Sequence, residues 1–346
     1  MEAASATRPA LRILRAPAPP PVVLLLAAAC VALVIGSLVS DQFAEQTVAG
    51  LATGGIFGSL ALALVLIYRA TEVINFAQGQ MAMFTTYIAW QLMQWGIGYW
   101  GAFVLTLGIA FAGGVALLAF ALGAVFVRDW TFERMGIKQA GGGVIAVVIV
   151  TIGMLILLEG AAAWIWSPEI KSFPSAFPTR PIRVGGVAFS IQDLGTIGVA
   201  LGSVVVLWVF FQFTKVGLAM RAAALRPFAA RLVGVRVNAM LALGWGLAAV
   251  LGAIAGLMIA PTIFLQPTMM DTILIYAFAA AVLGGIESPA GAVVGGLALG
   301  VVLNLLGTYV HFVTSELRLP VALGMLLIVL LIKPTGLFGH RVVRKV

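Results

Sequence analysis

Three polar residues stand close together in an otherwise apolar part of the chain. Glu72, Asn75 and Gln78 are spaced by three residues, so in a helix they would turn only slowly around one face. A polar group without a partner in hydrocarbon costs several kcal/mol, so this face must look into protein or water. We predict that it lines the path of a solute. The alternative is an ion pair between Arg69 and Glu72 at the membrane interface, with amides that only cap the helix.

A second polar break lies between two apolar runs further along the chain. Gly284, Gly285, Pro289 and Gly291 flank Glu287, and proline and glycine at this density should interrupt a helix. Broken helices direct their ends at ions or substrates in many transporters, so these four small residues are a candidate gate. The alternative, which the predicted orientation of the chain favours, is a tight turn on the cytoplasmic side.

The segment 214–237 is the longest polar connection between apolar runs. Pro227 suits the first turn of a helix and Gly234 the position after its end, so the sequence predicts a short helix at about 227–233, outside the membrane. A compact helix held by spans on both sides can dock a cytoplasmic partner; a retention signal with an interfacial helix is the alternative. The residues assigned to the docking contact are Arg221, Arg226, Pro227, Ala230, Arg231, Leu232 and Gly234.

Few other residues could do chemistry. Asn304 lies in an apolar run, where it either lines the solute path or, as we favour, bonds to a neighbouring helix. A single cysteine, Cys30, forms no internal disulfide, and two separated histidines, His311 and His340, argue against a metal site. No segment matches the phosphate-binding pattern G-x-x-x-x-G-K-[ST]. We therefore expect no metal or cofactor on this chain, and any ATP must be bound by a separate subunit.

The composition shows which solvent surrounds these residues. Of 346 residues, 62% are hydrophobic and 9% charged, whereas soluble domains are about 45–50% apolar and about 25% charged. A soluble enzyme, a disordered chain and a coiled coil are excluded. Because a crossing needs roughly 20 apolar residues, the sequence predicts an all-α polytopic membrane protein of about ten transmembrane helices. The predicted spans are 22–40, 48–68, 73–93, 101–127, 143–166, 191–213, 241–260, 272–286, 291–310 and 319–332.

The basic residues predict how the chain is oriented, since Lys and Arg are retained on the cytoplasmic side. Of the 20 Lys and Arg residues, sixteen fall in one set of connecting segments. Only Lys171, Arg180, Arg183 and Arg318 fall in the other set. We therefore predict cytoplasmic N- and C-termini, with tails at 1–21 and 333–346 and a membrane domain at 22–332. The net charge of +8 reflects this orientation and not nucleic-acid binding.

Glycines recur at every fourth position in several spans. Gly50, Gly54 and Gly58 form one such stripe, and the spacing recurs later in the chain at 252 and 256, 291 and 295, and 296 and 300. Four residues return to nearly the same helix face, so each stripe lets two backbones approach closely. The stripes predict tight helix packing; a flat face on which helices slide during transport is the alternative.

Four blocks of sequence together resemble the permease subunits of branched-chain amino-acid ABC importers. In order and spacing they cover about residues 50–339. The blocks are Ile74-Asn75-Phe76-Ala77-Gln78-Gly79, the loop from Gly217-Leu218-Ala219-Met220-Arg221-Ala222 to Gly234, the segment from Ala277-Phe278-Ala279 to Gly296, and Lys333-Pro334-Thr335-Gly336-Leu337-Phe338-Gly339. The chain departs from the family pattern at Thr85-Thr86-Tyr87, where Gly-Ala-Tyr is common, and at Glu287, where a small or neutral residue is usual.

The resemblance implies a permease of the prokaryotic inner membrane that forms half of a translocation path and works by alternating access. ATP and Mg would be held by two cytoplasmic ATPase subunits that contact 214–237. A second, related permease would complete a heterodimer, and an extracytoplasmic binding protein would deliver the solute. The chain itself would not be an enzyme. Few fixed charges in the spans fit a branched-chain amino acid or another small zwitterionic or neutral solute.

Other functions stay open at this point. Related permeases are thought to carry urea, short amides or aromatic acids. An ion-coupled secondary transporter would need a titratable group at mid-membrane, and the best candidates, Glu72 and Glu287, both fall near the inner edge of the predicted spans. A membrane enzyme would need clustered His, Asp or Glu, which the sequence does not offer.

Overall fold

The computed structural model describes residues 41–134, 142–178, 180–184 and 187–339, with the side chains at 124–134, 142–144 and 184 left out. The predicted N-terminal tail at 1–21, the first predicted span at 22–40 and residues 340–346 of the predicted C-terminal tail lie outside this description. The helices are α1 (Asp41–Thr71), α2 (Gln78–Gln94), α3 (Tyr99–Arg134), α4 (Gly142–Trp166), α5 (Ile191–Phe213), α6 (Lys215–Leu225), α7 (Pro227–Leu232), α8 (Val237–Ile263), α9 (Asp271–Gly284), α10 (Pro289–Tyr309) and α11 (Arg318–Ile332).

The described residues form mainly helices that cross or partly cross a membrane. Each predicted span from 48–68 onward overlaps a helix, although the span predicted at 73–93 begins too early. By length and hydropathy, seven helical segments in the described ranges can cross a bilayer, and the last of them joins the 3-10 turn Ser315–Leu317 to α11. Two are too short, α2 with 17 residues and α9 with 14, because a full crossing takes roughly 20. The structure thus supports a polytopic helical protein, whereas the count of ten full crossings stays a prediction.

Two small features distinguish the ends of the bundle. Strands β1 (Pro181–Val184) and β2 (Val187–Ser190) pair as an antiparallel hairpin that precedes α5; we call this side the hairpin end. The all-α prediction missed these strands, since they lie in a connection and not in a span. The opposite side carries α6 and α7 and is called the loop end. The predicted orientation places the loop end in the cytoplasm.

The two most buried helices, α1 and α8, lie at the centre and are each flanked in a similar way. The most extensive packing in the bundle joins α1 to α10 and α3 to α8, while α2 packs on α8 and α9 packs on α1. In both halves a long buried helix is followed by a short helix, and α1 and α8 run in opposite directions. Transporters built from inverted repeats share this pattern of long and short helices, and their binding sites lie near mid-membrane at the repeat interface.

Glycine makes the close contact between α1 and α10 possible. A Cβ atom placed at Gly54 would lie 2.8 Å from the carbonyl oxygen of Gly296, and one at Gly300 would collide with the backbone of Gly54. Gly296 meets Gly58 in the same way. The predicted stripe at 50, 54 and 58 is therefore confirmed as a close-packing face. Whether the helices slide on it stays a prediction.

Candidate functional site

The segment before α2 is not helical, which corrects the sequence prediction of a span from residue 73. Ala77 is the residue before the first turn of α2, and residues 72–77 form turns. Glu72 has a φ angle of 55° and is exposed just beyond the end of α1. Glu72, Asn75 and Gln78 therefore do not share a helical face. Their spacing is typical of a helix, but in the structure residues 72–77 form the turns that bring the chain back into the bundle.

Asn75 and Gln78 are fully buried and hold this turn in place. The side-chain oxygen of Asn75 accepts a hydrogen bond of 3.0 Å from the backbone N–H of Ala77, and its amide nitrogen donates to the Gln78 side chain at 3.4 Å. Gln78 in turn donates to the carbonyl oxygen of Ala248 at 2.9 Å. Asn75 thus caps the start of α2, which was the alternative reading of the amides, while Gln78 ties α2 to α8.

The start of α2 lies near the middle of the bundle. Counted from Val237, Ala248 is the twelfth of the 27 residues of α8, so at about 1.5 Å per residue it lies roughly 16 Å from the loop end of a helix about 40 Å long. Gln78 bonds to Ala248 and therefore lies at the same depth. The turns at 72–77 therefore return the chain from the end of α1 into the interior of the bundle.

A carboxylate from the connection between the predicted spans 241–260 and 272–286 also lies at this depth. Gln80, which is buried, donates a hydrogen bond of 2.7 Å to Asp271, the first residue of α9. The chain after α8 folds back into the bundle because Phe264 adopts a φ angle of 64° and Leu265 pairs with Lys171. Sequence analysis missed this contact because hydropathy gives no sign that 264–270 re-enters the bundle.

The two short helices thus begin beside each other in the bundle interior. The backbone of Gly79 lies against Met270 and Leu274, and the N-cap residues Ala77 and Met270 have no side chain that accepts from the first N–H groups of their helices. Helix N-termini carry partial positive charge, and paired half-helices of this kind bind polar solutes at mid-membrane in transporters. The oxygen atom of the Gln80 side chain is buried and has no hydrogen-bond partner among the described residues. This junction, named here the half-helix junction, is a candidate point on the solute path.

We expect the Gln80–Asp271 bond to couple the two halves of the bundle. In a double-mutant cycle with Gln80→Leu and Asp271→Leu, the coupling free energy of unfolding should be about 1.5–3 kcal/mol, because the acceptor is charged. Denaturant unfolding in detergent measures it. The control is Gln91→Leu, whose residue lies three turns further along α2, and its effect should add to that of Asp271→Leu within about 0.5 kcal/mol. Additive effects for the Gln80 pair would contradict the contact.

A polar cleft of ≈ 610 Å³ opens at the hairpin end. Its walls combine apolar residues with hydroxyl and amide groups, and it carries one carboxylate, Asp193, and one guanidinium, Arg318. It reaches Thr272, the neighbour of Asp271, in the first turn of α9. Asn304 lines the cleft and also donates to the carbonyl oxygen of Gln46 at 2.7 Å. Asn304 therefore bonds to a neighbouring helix and also lines the cleft. A role of this cleft in the solute path stays a prediction.

The predicted helix break near Glu287 is confirmed as a turn at the loop end. The helix α9 ends at Gly284, Gly285 has a φ angle of 107° that a side chain would oppose, and α10 begins at Pro289. The hydroxyl of Ser288 accepts a hydrogen bond from the N–H of Gly291 at 3.0 Å. A role of these residues in gating stays a prediction.

The segment 333–339 packs against this helix break and bonds to the end of α9. The backbone N–H groups of Leu337 and Phe338 donate to the carbonyl oxygens of Leu283 and Gly284 at 2.8 and 2.9 Å. Gly336 lies so close to Gly285 that a Cβ atom would be 2.7 Å from its backbone. The last carbonyls of α9 thereby gain partners that a helix end otherwise lacks, which gives the fourth sequence block a structural role.

The short helix predicted at about 227–233 is present as α7, and its C-terminal end is capped. Pro227 occupies the first turn of α7. At the other end, Gly234 has a φ angle of 83° and donates to Arg231, while Val235 donates to Ala230 at 3.0 Å, a Schellman motif. Ala230 is buried against Ala223 and the start of α8. A second helix, α6, which the sequence did not separate from α7, precedes it and is capped by Thr214.

The residues of the predicted docking contact fall into two groups. Arg226, Arg231 and Leu232 are exposed on or beside α7. Arg221 instead is half-buried on α6, and its guanidinium approaches Gln212 at 3.4 Å. The structure therefore places Arg221 on α6 and not among the exposed residues of α7. Contact of either group with an ATPase stays a prediction.

Comparison with known proteins gives the family of this architecture. The family model described as the permease component of branched-chain amino acid transport systems matches residues 46–331. The high-affinity branched-chain amino acid permease BraD of Pseudomonas aeruginosa is 29% identical over 88% of this chain and 98% of its own length, and LivH of Salmonella typhimurium is 28% identical over the same shares.

A third relative and one solved structure are also similar over most of the chain. The probable permease LivH of Methanocaldococcus jannaschii is 29% identical over 81% of this chain and 87% of its own. PsaBC of Streptococcus pneumoniae, solved with a Fab, aligns over 88% of this chain and 97% of that chain with a TM-score of 0.44 and 14% identity, a likeness too weak to support a conclusion. On the match over 46–331, the chain belongs to the family of permease components of branched-chain amino acid transport systems.

Proposed function

We propose that the chain is a transmembrane subunit of an ATP-driven importer for branched-chain amino acids or related small zwitterionic solutes. As a multi-pass protein of the inner membrane, it forms half of the translocation path, and separate cytoplasmic subunits hydrolyse ATP. This proposal rests on one observation, the exposed apolar side chains in the segment 214–237. Phe228, Leu232 and Val233 are 77%, 74% and 78% exposed on and just after a helix that begins at Pro227 and ends in a Schellman motif.

The exposed side chains of Phe228, Leu232 and Val233, called here the tip, are suited to a protein partner. Exposed apolar side chains that cluster on a rigid element outside the membrane mark an interaction surface, and a capped helix packed through Ala230 on α6 and α8 moves as one body with the spans. The basic Arg226 and Arg231 beside it favour an acidic rim on the partner. Two ATPase subunits, one for each permease, are the partner that the family role requires.

A second permease is expected on the face that carries the half-helix junction. Asp271 and Thr272 are exposed on this chain although they lie near mid-membrane. A carboxylate at this depth does not face lipid without a large cost, so this face must be covered by protein or water. A related permease that covers it would enclose a path between the two subunits, with Asp271 and Thr272 on its wall.

The charges of the hairpin-end cleft fit a zwitterion. Asp193 can accept from an ammonium group and Arg318 can donate to a carboxylate, while the hydroxyl groups of Thr196 and Thr272 complete a polar lining. A neutral solute such as urea would leave both charges without a partner. The cleft therefore supports an amino acid over urea or a short amide as the solute, delivered at the hairpin end by an extracytoplasmic binding protein.

We expect Asp193→Asn and Arg318→Gln each to weaken uptake of a branched-chain amino acid. Loss of one charge-assisted hydrogen bond costs about 1.5–3 kcal/mol, or roughly a ten- to hundredfold rise in the half-saturating concentration. Uptake of radiolabelled leucine by the complete transporter, supplied with its binding protein, measures this. Arg183→Gln, on the exposed strand β1, is the matched control. Equal sensitivity of urea uptake to both variants would contradict a zwitterion site.

An ion-coupled transporter is the competing function, and Asp271 is the observation that favours it. A titratable group near mid-membrane is what such a transporter needs. Glu72 and Glu287, in contrast, are exposed at the loop end. Uptake that vanadate stops and a protonophore leaves intact would support the ATP-driven importer. Uptake that a protonophore abolishes and vanadate leaves intact would reject it.

A further inference from the structure

A second cavity lies at the loop end, away from the proposed solute path. Its volume is ≈ 350 Å³, within the range of sites that hold small ligands, about 300–1,000 Å³. The walls come from α1, α5, α6, α8 and the first residues of α10. They are apolar and include Leu62, Leu66, Val205, Trp208, Met240 and Leu241. We call this space the loop-end cavity.

The loop-end cavity has few polar side chains in its walls. Arg69, Gln212 and Arg221 are the polar side chains that line it. Arg221 donates to Gln212 at 3.4 Å, but its Nε atom is buried and has no hydrogen-bond partner among the described residues. The carboxylates on neighbouring segments, Glu72 and Glu287, are both exposed. Two guanidinium groups thus stand at an apolar cavity, and one of them has an unused buried donor.

The cavity also faces the membrane side of the bundle. Val205 and Trp208, on α5, are 56% and 60% exposed, so one wall is open between helices. Tryptophan at the end of a span typically lies at the level of lipid headgroups, and Trp208 lies less than two turns from the end of α5. A ligand that enters from this side is amphipathic, with an apolar part for the walls and an anionic part for the two arginines.

We propose that the loop-end cavity binds an anionic phospholipid of the cytoplasmic leaflet, whose acyl chain lies between α1 and α5 and whose phosphate lies at Arg69 and Arg221. Basic pockets between helices on the cytoplasmic side are recognised sites for anionic headgroups. The proposal rests on the orientation given under the proposed function, but it does not depend on the solute or on the ATPase. It gives Arg221 a role that its half-buried position favours over direct contact with a partner protein.

Native mass spectrometry of the full chain in detergent, with phosphatidylglycerol or phosphatidylcholine added, tests the headgroup. We expect phosphatidylglycerol to be retained more strongly, and Arg69→Gln and Arg221→Gln each to weaken its binding about fivefold, the contribution of one basic side chain near an anionic surface. Arg236→Gln, an exposed arginine outside the cavity, is the matched control. Equal retention of the two lipids, or an equal loss in the control, would overturn the proposal.

A second variant tests the acyl chain. Ala70→Phe fills the cavity and keeps both arginines, so it should release phosphatidylglycerol as strongly as the arginine variants do. Brominated phosphatidylglycerol in nanodiscs of phosphatidylcholine should quench the fluorescence of Trp208, measured as the difference from Trp208→Phe. Inorganic phosphate should not displace the lipid. Displacement by phosphate, or no quenching because a protein segment fills the cavity, would overturn the proposal while leaving the importer function standing.

Discussion

Replacing Phe228 and Leu232 together by alanine is expected to weaken binding of the ATPase subunit strongly while the membrane bundle stays folded. Both side chains are about three-quarters exposed, so their removal costs the isolated chain little. If both are buried on docking, each contributes about 1.5–3 kcal/mol. Their loss together should weaken association by roughly a hundredfold or more. Binding of the purified ATPase subunit to the chain in nanodiscs measures this effect directly.

The chain offers a control with the same two residue types. Phe213 and Leu218 are 71% and 61% exposed, but they lie on α5 and α6, away from the tip. The variant Phe213→Ala/Leu218→Ala removes a similar amount of exposed apolar surface and should leave ATPase binding unchanged. A third variant, Ala230→Pro, breaks α7 by removing the hydrogen bond that Ala230 donates to Arg226, and it should act like the tip variant. Unchanged ATPase binding in the tip variant would reject α7 as the coupling surface.

Substituting Gly300 is expected to have the largest effect on stability. A Cβ atom at this position would collide with the backbone of Gly54, and no side-chain rotation can relieve a contact with backbone. Overpacking typically costs about 1–3 kcal/mol, and a collision between two helix backbones should reach the upper part of that range. We therefore expect Gly300→Ala to lower the melting temperature of the chain in detergent by several degrees.

Gly108 on α3 provides the comparison. A Cβ atom there meets nothing within 4 Å, so Gly108→Ala adds the same methyl group to a helix without a clash. Since alanine is the better helix former by about 1 kcal/mol, this variant should be neutral or slightly stabilising. Equal melting temperatures for the two variants would show that α1 and α10 are further apart than the structure has them.

Hydropathy and charge predicted the helices because spans are long and the bilayer penalises every unpaired polar group. The span predicted at 191–213 coincides with α5, and the helix predicted at 227–233 coincides with α7 to within a residue. Pro227 and Gly234 made α7 visible, since their conformational preferences act locally.

The half-helix junction could not be predicted, because it depends on contacts between distant parts of the chain. Gln80 and Asp271 are 191 residues apart, and nothing in the sequence near either residue points to the other. The segment 72–77 was assigned to a helix because its apolar residues read as a continuous span. Only packing against Ala248 shows that Gln78 begins a new helix near mid-membrane.

The most direct test of the central claim is solute uptake into sealed liposomes. The chain reconstituted with its second permease, two ATPase subunits, the binding protein and ATP should accumulate a branched-chain amino acid. The same chain alone, with an ion gradient but without ATPase subunits, should accumulate none. Accumulation of the solute by the isolated chain would contradict the claim that force reaches the bundle through α7.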